Sequence, residues 1–161
     1  MKQFRIIIVV GRKGSGKSYY IKEKLKHYKG NKLILDVRRE YAEGILVKPS
    51  KFMEMVKNAK NSLIIFEEAT MYMSNKSDFE DIRWLNMSAR HDGNTIFYVF
   101  HALQFVPLNI LNQADLLILH RTGDNFELVN KKFKGDPRIM KAFFQVRNSS
   151  EKHVRVRVPM Q

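Results

Sequence analysis

The aliphatic run that closes the segment Phe4–Val10 passes without alternation into Gly11-Arg12-Lys13-Gly14-Ser15-Gly16-Lys17-Ser18. A run of this kind suits a strand covered on both faces. The residues behind it match G-x-x-x-x-G-K-[ST], in which glycines let the backbone curl until successive N–H groups point inward. A basic, helix-patterned stretch follows. Strand, loop and helix in this order predict a phosphate-binding loop and restrict the chain to folds whose buried parallel strands end in such loops. A glycine-containing turn ahead of a basic helix would not require Gly, Lys and Ser at these fixed offsets.

The spacing assigns chemistry. The N-terminal end of the following helix adds positive potential where phosphates would lie. Gly11, Arg12, Lys13, Gly14, Ser15, Gly16, Lys17, Ser18 and Tyr19 are the candidate nucleotide-binding residues. In this motif Lys17 reaches the β- and γ-phosphates and the Ser18 hydroxyl ligates Mg²⁺, so ATP with Mg²⁺ is the expected ligand pair.

Periodicity orders the rest of the chain. A helix is predicted over Lys17–Tyr28, a strand over Lys32–Val37, a short strand over Ile45–Val47, and a helix over Lys51–Ala59 with Ser50 as its cap. Ser62–Phe66 reads as another strand buried on both faces, Met71–Lys76 as a loop and Asp78–Ala89 as a helix. Strands over Thr95–Phe100 and Ala114–His120 bracket a short helix at Leu108–Asn112. Phe126–Asn130 is expected as an edge segment, Asp136–Phe144 as a helix opened by Pro137, and Val154–Val158 as a solvent-facing edge strand. Strands alternating with helices predict an α/β fold with a mostly parallel central sheet flanked by helices. At 161 residues, without repeat or linker, residues 1–161 are expected to form one domain.

Glu67 and Glu68 stand at the C-terminal end of the Leu63–Phe66 strand, where open parallel sheets place their reactive groups. In phosphate-loop ATPases the first acid holds Mg²⁺ and the second orients and deprotonates the attacking water. These roles fall to Glu67 and Glu68 respectively, or to the two exchanged. Solvated acids capping the next segment are the plain alternative.

Composition narrows the partners. Lys and Arg number 29 against 16 Asp and Glu, a formal charge of +13 spread along the chain. Such an excess favours an anionic partner such as nucleic acid. With no cysteine, disulfide frameworks and thiolate zinc sites are excluded. Apolar runs fall far short of the roughly 20 residues that cross a bilayer. Met1–Arg5 shows no secretion signal, and a soluble, cytoplasmic protein is expected.

Taken in order, several blocks resemble one family. They are Gly11–Ser18, Asp36 followed by Arg38-Arg39-Glu40-Tyr41, Ile64-Ile65-Phe66-Glu67-Glu68, Ser88-Ala89-Arg90-His91, and His101-Ala102-Leu103-Gln104-Phe105-Val106-Pro107. The chain resembles a minimal member of the FtsK–HerA superfamily of DNA-pumping ATPases, especially the packaging ATPases of membrane-containing viruses and the Zot-like assembly ATPases of filamentous phages. The resemblance implies a three-layer P-loop NTPase fold of the RecA/ASCE type and a homo-oligomeric ring acting on double- or single-stranded DNA, with a viral capsid or vertex protein as a possible docking partner. It also implies Lys17, Glu67, Glu68, Arg90 and His101 as catalytic residues, with Ser18 and Glu67 at the metal. Arg90 occupies the place of an arginine that enters the neighbouring subunit's site. The γ-phosphate sensor, generally a glutamine, falls to His101 or Gln104.

Two functions are therefore expected: an ATP-driven nucleic-acid translocase, or a small-molecule or nucleotide kinase using the same loop, with Asp36 and Arg38 toward the acceptor. The Glu67-Glu68 pair favours the first, because a kinase gains nothing from activating water. Lys131, Lys132 and Lys134, within Asp124–Lys134, are candidate grips for backbone phosphates. The cations of His153-Val154-Arg155-Val156-Arg157 share one face and offer a second basic edge.

Overall fold

The computed structural model describes residues 5–42, 44–45, 49–73 and 75–161. Its strands are β1 (Ile6–Val10), β2 (Asn31–Leu35), β3 (Gly44–Ile45), β4 (Ser62–Phe66), β5 (Thr95–Phe100), β6 (Leu116–His120) and β7 (Arg155–Pro159). The helices are α1 (Lys17–His27), α2 (Pro49–Lys57), α3 (Lys76–Ser88), α4 (Leu108–Leu111), α5 (Phe126–Lys132) and α6 (Pro137–Asn148). All strands join one sheet in the order β3-β2-β4-β5-β1-β6-β7, parallel except for the β6–β7 pair. This is the expected α/β architecture.

Every residue of β1, β4 and β6 is buried. The two-residue period sends their side chains into separate cores. Ile8 and Val10 pack with Phe52 and Val56 of α2, Ile82 and Leu85 of α3, and Phe143 and Val146 of α6. Ile7 and Val9 pack on the other face with Tyr20, Ile21 and Leu25 of α1. The unbroken aliphatic runs are thus the signature of a sheet sandwiched between two helical layers.

The N-terminal edge of the sheet is closed by buried polar side chains. Asn94 accepts the Ser62 N–H at 3.0 Å and donates to the Ala59 carbonyl at 2.8 Å. Asp115 accepts the backbone N–H groups of Arg5 and Ile6 at 2.9 and 3.0 Å. Buried polar groups satisfied in this way fix strand register without competing with the core.

Several elements differ from expectation. Phe126–Lys132 is a helix and not an edge segment: Asn125 caps it by accepting the Glu127 N–H, and Val129 and Phe133, at helical spacing, are buried. The sheet edge belongs to β7, which lies antiparallel beside β6. Ser50 is no cap, because α2 already begins at Pro49, a residue suited to a first helical turn. Helix α3 starts at Lys76 behind a capping box formed by Asn75 and Asp78, and a short 3₁₀ turn over Ala69–Tyr72 overlaps the start of the expected loop Met71–Lys76. Phe4 of the first predicted strand, and Leu46 and Val47 of the short one, lie outside the described residues.

Above β4, Phe66 is enclosed by rings, stacked on Tyr98 at 5.1 Å and meeting Tyr72 and Phe52 edge-on at 5.0 and 5.3 Å. Phe66→Ala is expected to lower the unfolding free energy by about 3–5 kcal/mol, measured by urea denaturation against the wild type.

Candidate nucleotide-binding site

At the C-terminal end of the sheet the loop after β1 is tied down on both sides. The Gly11 N–H donates to the Phe100 carbonyl of β5 at 3.1 Å, and the Arg12 N–H donates to the Arg121 carbonyl beyond β6 at 2.9 Å. His120, buried at the end of β6, donates from Nδ1 to the Ser15 carbonyl at 3.0 Å. A Cβ on Gly11 would lie 2.4 Å from Ser15 Oγ and 2.6 Å from His120 Cβ, so only glycine fits there. Gly14 and Gly16 have φ of 75° and 98°, a region that favours glycine. Gly16 then leads directly into α1.

A cleft of about 240 Å³ opens above this loop. Lys13, Gly14, Gly16, Lys17, Ser18 and Tyr19 line one side, and Glu67, Glu68 and His101 reach it from the ends of β4 and β5. Lys17 is buried and folds its Nζ back onto the carbonyls of Gly11 and Arg12, at 2.5 and 3.0 Å. Burial lowers its pKa, an effect opposed by the carboxylates of Glu67, Glu68 and Glu40.

The two neighbouring acids point to different partners. Glu68 takes a left-handed backbone conformation, φ 58° and ψ 51°, uncommon for a residue with a side chain. The chain turns there, and the carboxylates separate. Glu67 is buried and accepts the Tyr41 hydroxyl at 3.0 Å. Burial pushes its pKa up to about 7, against the lowering effect of the Tyr41 hydrogen bond. Glu68 Oε1 meets His101 Nε2 at 2.6 Å and the Arg38 guanidinium at 2.7 Å.

Residues after β2 complete the cleft: Arg38, which the kinase alternative sets toward the acceptor, and Glu40 both line it. Ser18 donates from Oγ to Glu40 Oε2 at 2.5 Å, and the Tyr41 hydroxyl donates to Glu67 at 3.0 Å. Asp36 is buried and accepts the Tyr41 N–H at 2.7 Å through Oδ2, bracing this turn. The signal for these residues was the polar cluster Arg38-Arg39-Glu40-Tyr41 directly after a strand. His120 and His153 had no comparable signal, since each reaches the loop from far along the chain.

Other candidates lie elsewhere. Gln104 sits in a 3₁₀ turn, where its N–H donates to Asp124 and its carbonyl accepts Lys132 Nζ. Arg90 pairs with buried Asp115 at 2.6 Å, at the N-terminal edge of the sheet and across the molecule from the loop. Lys131 and Lys134 are exposed. No helix among the described residues is long and apolar enough to cross a membrane.

No family model and no curated protein sequence matches this chain. Solved structures do. The genome packaging NTPase B204 from Sulfolobus turreted icosahedral virus 2, in complex with ATP-gammaS, aligns over 97% of this chain and 92% of its own, with a TM-score of 0.73 and 20% identity. B204, the DNA-packaging ATPase from Sulfolobus turreted icosahedral virus, aligns over 96% of both chains at a TM-score of 0.70 and 18% identity. The N-terminal domain of zonular occludens toxin from Neisseria meningitidis covers 72% of this chain and 76% of its own, at 0.52 and 17%. At these identities the likeness is one of fold, and it extends to the P-loop NTPase architecture expected from the motif order.

His120 gives the loop a measurable pH signature. Burial holds its pKa down to about 4, against 6.5 for an ordinary histidine. Between those values the unfolded chain binds more protons than the folded one, so stability falls as pH drops from 6.5 to 4, by up to about 3 kcal/mol from this group. His120→Asn, which keeps an N–H donor near Nδ1, is expected to remove that portion of the slope in urea unfolding at a series of pH values. Gly11→Ala is expected to destabilise by about 1–3 kcal/mol at any pH, read in the same assay.

Proposed function

We propose that the protein is an ATP-hydrolysing motor subunit that translocates nucleic acid, in the manner of a viral DNA-packaging ATPase. The observation that carries this reading is the meeting of Lys17, Ser18, Glu67, Glu68 and His101 in one cleft, with β5 standing between the loop strand β1 and the acid strand β4. Two carboxylates beside a phosphate loop suit transfer of a phosphoryl group to water.

Ser18 and Glu67 both line the cleft, and their hydroxyl and carboxylate oxygens are the hard donors that suit Mg²⁺, which takes few protein ligands and fills its shell with phosphate and water. When bound, Mg²⁺ neutralises charge on the phosphate oxygens. Lys17 exchanges its two loop carbonyls for phosphate oxygens. Glu68 is the base: both His101 and Arg38 engage Oε1, leaving Oε2 to accept the proton of the attacking water. His101, hydrogen-bonded to that base, is the residue placed to respond when the γ-phosphate departs. His101 lines the cleft and Gln104 does not, so His101 is preferred as the sensor.

The remaining features are read at the level of the assembly. The charge of +13 supports backbone-phosphate contact, with Lys131 and Lys134 available on the α5 side. In a ring, head-to-tail interfaces set a different face of one subunit against the cleft of the next. Arg90, 62% exposed at its side chain, is the candidate to complete a neighbour's site by exchanging Asp115 for phosphate. A capsid or vertex protein is the expected docking partner of such a ring. The kinase reading is weakened by the Glu67–Glu68 pair lining the cleft, which suits activation of water.

Hydrolysis by the full chain with Mg²⁺ is expected to rise with added DNA and with assembly. Glu68→Gln should cut it about 10²–10⁴-fold while nucleotide binding persists, and Lys17→Ala should abolish binding. Turnover indifferent to DNA and unchanged in Glu68→Gln would overturn the motor.

A further inference from the structure

At about 240 Å³ and open to solvent, the cleft is small beside the roughly 300–1,000 Å³ of clefts that enclose a drug-sized ligand. With a triphosphate along the loop toward Glu68 and His101, the nucleoside must leave at the other end, over the start of α1. Two rings stand there. Tyr19 is 67% exposed, whereas its neighbour Tyr20 is 6% exposed and packed against His120. His153 lines the same cleft, and a Cβ on Gly16 would lie 3.4 Å from its Cβ and Nδ1.

His153 is held in place from both directions. It lies in the segment linking α6 to β7, whose carbonyls at Ser149 and Glu151 accept the Arg121 guanidinium, along with Val146 at the end of α6. The backbone carbonyl of the same Arg121 holds the Arg12 N–H of the loop. On the far side, Arg155 lies over the Tyr20 ring at 5.0 Å. Loop and linker are therefore fastened to a common residue, and His153 has a defined position beside Gly16.

We propose that Tyr19 and His153 are the walls of a nucleobase subsite at the mouth of the cleft, gripping the base through its π-face. This rests on the reading of the cleft as a nucleotide site and adds the C-terminal linker to it. An exposed aromatic side chain that packs on no core has a use when a flat heterocycle stacks on it. The imidazole that lines the same cleft supplies a second flat surface. Recognition of this kind senses the presence and area of a base more than its edge pattern.

The test compares Mg²⁺-ATP with Mg²⁺-tripolyphosphate, which carries the phosphates and no base, by titration calorimetry on the full chain. Both rings are exposed, so the variants are expected to fold, checked by their circular dichroism. Tyr19→Ala and His153→Ala should weaken ATP binding roughly 5- to 100-fold and leave tripolyphosphate affinity unchanged. Tyr19→Phe and His153→Phe should retain ATP binding within about threefold, as stacking demands. Alanine variants that bind ATP like the wild type, or that lose both ligands equally, would overturn the subsite. A wild type that binds tripolyphosphate as tightly as ATP overturns the subsite alone, whereas one that binds neither overturns the nucleotide site itself.

Discussion

The structure depends on a strand that has neighbours on both sides and still ends in an open loop. β1 pairs with β5 and β6 along its length, and its last pairing, Val10 with Phe100 and Leu119, stops where the glycines begin. A loop leaving a central strand would ordinarily drift into solvent. Here Phe100, Arg121 and His120 each take or give one hydrogen bond to it. The loop thereby inherits the rigidity of the sheet, and a preorganised set of N–H groups needs little ordering when an anion arrives. Gly11 marks how tight this fit is, because no Cβ can enter between Ser15 and His120.

The two edges of the sheet are treated in opposite ways. At the N-terminal edge Asn94 and Asp115 use their capacity on backbone amides and carbonyls, and Arg5 adds a hydrogen bond from its guanidinium to the Gly93 carbonyl at 2.8 Å. Polar groups there stabilise register. At the C-terminal edge the polar groups are directed at one another across a cleft, in pairs such as Ser18–Glu40, Tyr41–Glu67 and Glu68–His101, which a ligand of suitable charge can exchange. The left-handed turn at Glu68 costs of the order of 1–2 kcal/mol relative to ordinary backbone. Its consequence is geometric: the chain turns at Glu68, whose carboxylate meets His101 and Arg38 while that of Glu67 meets Tyr41.

What was legible in the sequence follows from locality. The phosphate loop, the buried strands and the acid pair are each encoded within a few residues, where periodicity and spacing are direct consequences of strand and turn geometry. Asn75 with Asp78, and Asn125 with the apolar spacing of Val129 and Phe133, were equally local, yet the second was read as an edge because a short helix offers few periods to recognise. The site's outer members were not legible in this way. Arg38, Glu40 and Tyr41 belong to the cleft because β2 lies beside β4, and His120 and His153 because β6 and β7 close the other flank. Those neighbourhoods are properties of the strand order, which no single segment carries.

The electrostatics of the cleft run against those of the chain. A molecule with an excess of basic residues gathers Glu40, Glu67 and Glu68 around one buried lysine. Lys17 alone could not hold three carboxylates in a partly desolvated space, and the structure divides the load. Glu40 is held by a hydroxyl, Glu68 by Arg38 and His101, and Glu67, the most buried, by Tyr41 with a raised pKa. Each of these partners is a neutral donor or a cation of the same chain, so the cleft is internally balanced before any ligand enters.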